Sequence, residues 1–263
     1  MSSINTGWLK DKVSVVTGAS SGIGEALAEF LASNGSRVAL VARNVSKLER
    51  NVERIRERGG TAISIRADVT SSADVQTMVG TTVETYGRID YLINNAGVFP
   101  VTPVLDMEED EWDRVLDTNL KSAYLCSRAA AKAMIEGGVK GKIVNISSTS
   151  SMIARPGCAH YAASKAGLVM FTRVLALELV PYGILVNAVH PGVIGTEIVQ
   201  RLAETPSGKE ENKAKLDRIP LGRWGTVDEI VGAVVYLLSP AASYVVGASI
   251  VVDGGYSLGI PKY

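Results

Sequence analysis

A chain of 263 residues, 46% hydrophobic and 21% charged, has the profile of a globular protein with enough length for a sizeable core. Its 27 Lys+Arg balance its 27 Asp+Glu, so no net field draws it onto nucleic acid or an anionic membrane. The two cysteines, Cys126 and Cys158, stand in unrelated contexts, which excludes a disulfide framework or a zinc cluster from the expectations; no metal is expected.

The opening residues, MSSINTGWLKDK, contain no apolar core of the signal-peptide kind. Further on, the apolar stretch 230–238 is too short to span a bilayer, and Arg173 and Glu178 interrupt the one at 168–180. A cytoplasmic protein is expected.

Strand-like and helix-like segments alternate along the whole chain. Apolar, β-branched runs lie at 13–17, 37–42, 61–67, 90–94, 142–147, 184–189 and 248–252, with helical patterns near 23–33, 46–58, 72–86, 109–136, 159–180 and 226–238. Runs such as Val38-Ala39-Leu40-Val41 are continuously apolar, which fits strands buried on both faces. The pattern predicts an α/β fold: a Rossmann-type, doubly wound parallel sheet of about seven strands with helices on both faces. No linker or repeat divides it, so 1–263 is expected to be a single domain. The polar run at 204–218 marks a solvated excursion within a substrate loop at 190–220. Ligands of such sheets bind beyond the C-terminal strand ends, here 17–24, 43, 68, 94–98, 147–148 and 190–196.

The first of these turns, TGASSGIG, fits two templates. As Gly18-x-Ser20-x-Gly22 it is a hydrolase nucleophile elbow; as Gly18-x-x-x-Gly22-x-Gly24 it is a cradle for a dinucleotide pyrophosphate. The elbow needs a histidine, and only His160 and His190 exist; it also leaves Gly24 without a purpose, and no HGGG-type oxyanion segment is present. The cradle uses all three glycines and offers Ser20 and Ser21 as phosphate donors. On its own the turn remains open between a cradle and a plain strand–helix connection. The second strand ends in Arg43, where an acid would favour a free ribose hydroxyl. A guanidinium suits a 2′-phosphate, so NADP(H) is favoured over NAD(H), unless Arg43 is merely a surface arginine.

In HYAASKAG, Tyr161 and Lys165 stand four residues apart on one helical face. A phenol with pKa near ~10 needs ~4 kcal/mol of preference for phenolate to fall by ~3 units. One ammonium at ~4 Å supplies about that at an effective dielectric of ~20. Lys165 is therefore of the right size to lower the Tyr161 pKa, unless the two are merely a solvated i,i+4 pair.

With VNISSTSS upstream and INNAGV (93–98) before it, the chain resembles the short-chain dehydrogenase/reductase family, in its classical branch. The resemblance spans essentially the whole length. Thr17-Gly18-x-x-x-Gly22-x-Gly24, Asn94-Asn95-Ala96-Gly97, Asn119, Ser148 thirteen positions before Tyr161, Lys165, Pro191-Gly192 with Thr196, and Val252-Asp253-Gly254-Gly255 occur in the family's order. It implies a catalytic tetrad of Asn119, Ser148, Tyr161 and Lys165. Tyr161 would exchange a proton with the substrate oxygen, which Ser148 would hydrogen-bond. Lys165 would bind the ribose hydroxyls, and Asn119 would hold a relay water. The implied cofactor contacts are Gly18, Ser20, Ser21, Gly22, Ile23, Gly24, Arg43, Asp68, Val69, Asn95, Ala96, Gly97, Tyr161, Lys165, Pro191, Gly192, Ile194 and Thr196. Asp68 would meet the adenine or else start the next helix, and Asn95 would flank the cofactor or tie two strands.

His160, Cys158 and His190 are read as packing residues, and Trp112 and Trp224 as core or interface anchors. Arg155 is read as a surface residue that could instead face an anionic substrate group. Val98, Phe99, Ile153, Val193, Ile194, Ile198 and Leu202 are the expected apolar mouth, which suits an acyl or alicyclic ketone. The expected function is an NADP(H)-dependent ketone/secondary-alcohol oxidoreductase, most resembling 3-oxoacyl carrier-protein and small carbonyl reductases. An NAD(H)-dependent polyol, sugar or alcohol dehydrogenase shares every motif. A non-catalytic dinucleotide sensor and a serine hydrolase are weaker readings. Residues 166–180 are apolar nearly all round, so a covering partner is expected. With the resemblance, this implies a homotetramer, favoured over a dimer.

Overall fold

The computed structural model describes residues 6–195 and 216–259. Its seven strands are Val13–Thr17 (β1), Arg37–Ala42 (β2), Thr61–Arg66 (β3), Tyr91–Asn94 (β4), Lys142–Ile146 (β5), Leu185–Pro191 (β6) and Ser249–Val252 (β7). They pair in parallel in the order β3-β2-β1-β4-β5-β6-β7, so the winding reverses between β1 and β4. The helices are Gly22–Ser33 (α1), Val45–Glu57 (α2), Ser72–Tyr86 (α3), Glu109–Leu116 (α4), Ser122–Glu136 (α5), Ala159–Leu179 (α6) and Val227–Leu238 (α7).

Every residue of β1 and β4 is buried, as continuous apolar runs at the centre of a covered sheet should be. Edge strands β3 and β7 are only partly buried. One apolar layer joins Leu27 and Leu31 of α1, Leu48 of α2 and Ile230 and Val234 of α7 to one sheet face. The other joins Val75 and Met78 of α3, Cys126 and Met134 of α5 and Leu175 and Leu179 of α6. Side-chain caps fix where helices begin: Asn44 accepts from the Lys47 amide, Ser71 from Asp74, and Thr226 forms a capping box with Glu229.

Two departures from the sequence pattern affect the ligand edge. The helix expected over 109–136 is interrupted by a π-turn, Asp117–Lys121, that turns Asn119 inward. Strand β6 runs on to Pro191, held by the Gly192 amide bonding the Val252 carbonyl at 3.0 Å. Helix α6 buries Leu168, Leu175 and Leu179, while Met170, Val174 and Leu177 remain exposed. Among the described residues no helix is long and apolar enough to cross a membrane.

Candidate active site

The turn after β1 is built by close approach. Gly18 has φ +66°, and a Cβ there would lie 2.8 Å from the Ala96 Cα. A Cβ on Gly24 would lie 2.4 Å from the Gly18 carbonyl oxygen and 2.5 Å from Asn95 Nδ2. Asn95 Nδ2 donates to the carbonyls of Thr17 (3.0 Å) and Gly18 (3.3 Å), and Thr17 Oγ1 accepts from the amides of Asn95 and Ala96. Asn95 is thus a tie between β1 and β4 that also lines the cleft. Its neighbour Asn94 turns the other way, bonding Ser127 and Asn145 in the core.

Beyond these strand ends lies a cavity of about 460 Å³. Gly18, Ser20, Ser21, Gly22 and Ile23 form one side, with Arg43, Asp68, Val69, Asn95, Ala96 and Gly97 around the rest. Gly24 supports the turn from behind and does not line it. The cavity also takes in Asn44 and Lys47 at the start of α2, which the sequence reading overlooked. Their spacing from Arg43 was a usable signal, since an asparagine N-cap places the third residue of the helix beside the strand end. Asp68 accepts from the Thr70 amide (3.0 Å) and hydroxyl (2.7 Å). Those bonds hold its carboxyl below the usual range, with Arg43 and Arg66 adding to them. It does not cap α3, because Ser71 does.

A second cavity of about 580 Å³ shares Ile23, Asn95, Gly97 and Val98 with the first, so the two form one cleft. Ser148, Tyr161, Lys165, Pro191, Gly192 and Ile194 line it, as do the apolar Val98, Phe99, Ile153 and Val193. Thr196, Ile198, Leu202 and most of the polar excursion lie outside the described residues. The two serines after β5 turn in different directions: Ser147 Oγ donates to the Lys165 carbonyl, whereas Ser148 lines the cleft beside Tyr161, whose phenol pKa it acts to lower. Gly192 packs against Asp253, where a Cβ would come within 2.6 Å, so the chain's ending braces this wall.

The Tyr161–Lys165 pair differs from the electrostatic expectation. Lys165 is 4% exposed, and its Nζ donates to the Ile146 carbonyl at 2.8 Å, 5.8 Å from the Tyr161 ring centroid. Burial lowers the lysine pKa to about 8. Burial pushes the phenol up, and the Ser148 hydrogen bond only partly opposes it. The lysine therefore does not hold Tyr161 below its ordinary value, because desolvation acts on both groups.

Asn119 is buried behind the cleft wall rather than lining it. Its Oδ1 accepts from the Val98 amide (2.8 Å), and its Nδ2 donates to the Val98 carbonyl (3.0 Å) and Ser164 Oγ (3.2 Å). Ser164 in turn donates to the Tyr161 carbonyl, so Asn119 couples the β4 loop to the helix that carries Tyr161.

The histidines do more than pack. His160 is fully buried; its Nδ1 accepts from the Tyr161 amide (2.9 Å), which puts its proton on Nε2, facing Glu111 Oε1 at 3.1 Å. His190 places Nδ1 3.1 Å from the Ser148 carbonyl and 2.9 Å from Ser151 Oγ, and burial lowers its pKa. Donating from Nδ1, it pins the backbone of Ser148. Neither histidine is paired with Ser20, as an elbow would require. Cys126 and Cys158 are buried free thiols. Trp112 and Trp224 line neither cavity, while Arg155 lines the second one rather than lying only on the surface.

Comparison with known proteins places this cleft in context. Residues 18–257 match the family described as enoyl-(acyl carrier protein) reductase. The chain is 39% identical over 249 residues to a 3-oxoacyl-(acyl-carrier-protein) reductase of Synechocystis sp., covering 94% of this chain and 97% of that one. It is 39% identical over 251 residues to a cyclopentanol dehydrogenase of Comamonas sp., covering 95% and 99%. A solved structure of a short-chain type dehydrogenase/reductase from Mycobacterium marinum superposes with a TM-score of 0.88 at 40% identity, covering 94% of this chain and 96% of the other.

Proposed function

Because the chain belongs to the short-chain dehydrogenase/reductase family, we propose that it interconverts a ketone and a secondary alcohol with NADP(H), using Tyr161 as proton donor and acceptor. One observation carries this reading: a single cleft joins the glycine turn and Arg43 at one end to Ser148, Tyr161 and Lys165 at the other.

The residues fit a nicotinamide dinucleotide. A Cβ at Gly18 would collide with the Ala96 backbone after β4, and one at Gly24 with the Gly18 carbonyl, and the turn between them would seat a pyrophosphate against the N-terminus of α1. Ser20 and Ser21 offer donors there. Arg43 and Lys47 together would bind a 2′-phosphate, Asp68 and Val69 would flank the adenine, and Pro191, Gly192 and Ile194 would enclose the nicotinamide end. When bound, the cofactor supplies reversible hydride transfer.

The remaining work falls to the chain. Burial keeps the Tyr161 phenol protonated at neutral pH, ready to give its proton to a carbonyl oxygen as that oxygen gains charge. Ser148 Oγ would hydrogen-bond the same oxygen, and Asn119 and His190 would hold these two groups in register. Lys165, with a pKa near 8, would bind ribose hydroxyls and pass protons at working pH. The apolar Val98, Phe99, Ile153 and Val193 would receive the carbon skeleton, which suits a 3-oxoacyl or small carbonyl substrate better than a free sugar.

We further infer that residues 1–263 form a single domain and that four copies assemble as a homotetramer. Met170, Val174 and Leu177 on α6 are exposed, and Tyr124 and Ile135 on α5 continue that apolar face. Around the edge strand β7, Val251 and its sequence neighbours Tyr244, Val246 and Leu258 are also exposed. Two such faces suit two-fold contacts between copies. A panel of ketones and secondary alcohols, offered with NADPH and NADH and followed at the nicotinamide absorbance, tests the function. Turnover of ketones with NADPH is the expected result, and no turnover with either cofactor would overturn it.

A further inference from the structure

Tyr161 stands in the first turn of α6, where a helix leaves its leading amides without acceptors of its own. Cys158, at the cap position, forms no side-chain bond to them. The carbonyl of Gly157, four residues before Tyr161, takes the Thr102 amide at 2.8 Å. The Tyr161 amide is taken instead by His160 Nδ1, at 2.9 Å. A neutral imidazole accepts at Nδ1 only when its proton is on Nε2. This bond therefore exists in one tautomer alone.

Glu111 of α4 favours that tautomer. Its Oε1 lies 3.1 Å from His160 Nε2, and the ring is fully buried. The Thr102 side chain foremost, then His160 and Arg114, hold the Glu111 carboxyl below the ordinary carboxylate range, so it meets the ring as an acceptor only. The other tautomer would turn a bare Nε2 toward the carboxylate and an N–H toward the Tyr161 amide, two repulsive contacts at once. Ser164 Oγ holds the carbonyl of Tyr161 separately, at 2.7 Å, so side chains tie the backbone on both sides of the phenol. Neither Glu111 nor His160 lines either part of the cleft. What they do for the site, they do through Tyr161.

We propose that Glu111 and His160 are positioning residues for Tyr161: the carboxylate fixes the imidazole tautomer, and the imidazole fixes the turn that aims the phenol at the substrate oxygen. The inference rests on the redox reading above, in which Tyr161 exchanges the proton. Misplacing a reacting group by about 1 Å costs on the order of 10²-fold in rate, so a loosened turn shows in kcat before it shows in binding.

The test has one readout on the wild-type protein and one on variants. His160 and His190 are the only histidines in the chain, so nitrogen NMR of histidine-labelled protein gives two ring signatures. His160→Asn removes one and so assigns both. His160 should be in the Nε2–H form at neutral pH; the Nδ1–H form or a doubly protonated ring would overturn the proposal. Glu111→Met removes the carboxylate at similar length. It should shift the ring away from that form and lower kcat for ketone reduction with NADPH by about 10-fold or more, at near wild-type NADPH affinity and KM. His160→Leu should lose as much. His160→Asn, whose Oδ1 can accept from the Tyr161 amide and has no tautomer to fix, should recover most of that loss. An unchanged kcat in Glu111→Met and His160→Leu, a loss confined to NADPH affinity or KM, or no recovery in His160→Asn would each refute the assignment. Wild-type turnover is read first. A wild type that reduces no ketone refutes the redox reading and this inference with it, whereas an active wild type whose kcat ignores these substitutions refutes this inference alone.

Discussion

Replacing Lys165 with methionine should make the protein more stable and inactive. The ammonium is 4% exposed and has one bond, to the Ile146 carbonyl. Its pKa of about 8, against an ordinary 10.5, corresponds to about 3 kcal/mol of penalty for holding the charge in the fold at pH 7. Methionine fills a similar volume without charge, but leaves the Ile146 carbonyl without that donor, a loss of about 1 kcal/mol. The net gain of about 2 kcal/mol should raise Tm by roughly 4–8 °C in a chain of this size. Below pH 8 the folded and unfolded wild-type chains both carry the proton, so the gap is constant. Between pH 8 and 10.5 only the unfolded chain does, wild-type stability climbs with pH, and the variant's advantage shrinks. Thermal melts of both proteins at fixed concentration, at pH 7 and again near pH 9.5, read this directly. A variant that melts below wild type at pH 7, or a gap that ignores pH, would refute the reasoning.

Arg43→Asp should reverse the cofactor preference, since a bidentate arginine–phosphate contact of ~2 kcal/mol gives ~30-fold discrimination. Fluorescence titration with NADPH and NADH measures it, and a wild type that prefers NADH would make Arg43 a bystander. Gly24→Ala puts a methyl 2.4 Å from the Gly18 carbonyl, so it should cost about 1–3 kcal/mol in urea unfolding and weaken NADPH binding. Unchanged stability and affinity would mean the turn is looser than described. Leu177→Asp, at a position 72% exposed on α6, should shift light scattering from a tetramer to a smaller species. A wild type of 27.8 kDa would contradict the assembly itself.

Local patterns were legible in the sequence because their physics is local. The glycine turn, the serine–tyrosine–lysine spacing and the strand runs each depend on neighbours within a few residues, and the structure brings nearly all of them to one cleft. What escaped depends on contacts across the chain. Nothing near Asn119 announces that its amide bonds Val98, or that a π-turn is needed to aim it there. His190 looked like filler because its partners, Ser148 and Ser151, belong to another strand's loop. Arg218 and Tyr256 meet only once the end of the chain returns beside the excursion. The Tyr161 pKa is not legible from the Tyr–Lys spacing for a different reason: the fold sets the medium around the pair as well as the distance.

The central claim is that Tyr161 exchanges the proton with the substrate oxygen. It is tested most directly by Tyr161→Phe, with NADPH binding followed by fluorescence and ketone reduction followed in the same preparation. The account predicts nearly unchanged NADPH affinity with turnover reduced by at least ~10²-fold, the scale of a lost acid–base group. Wild-type turnover in that variant would contradict it.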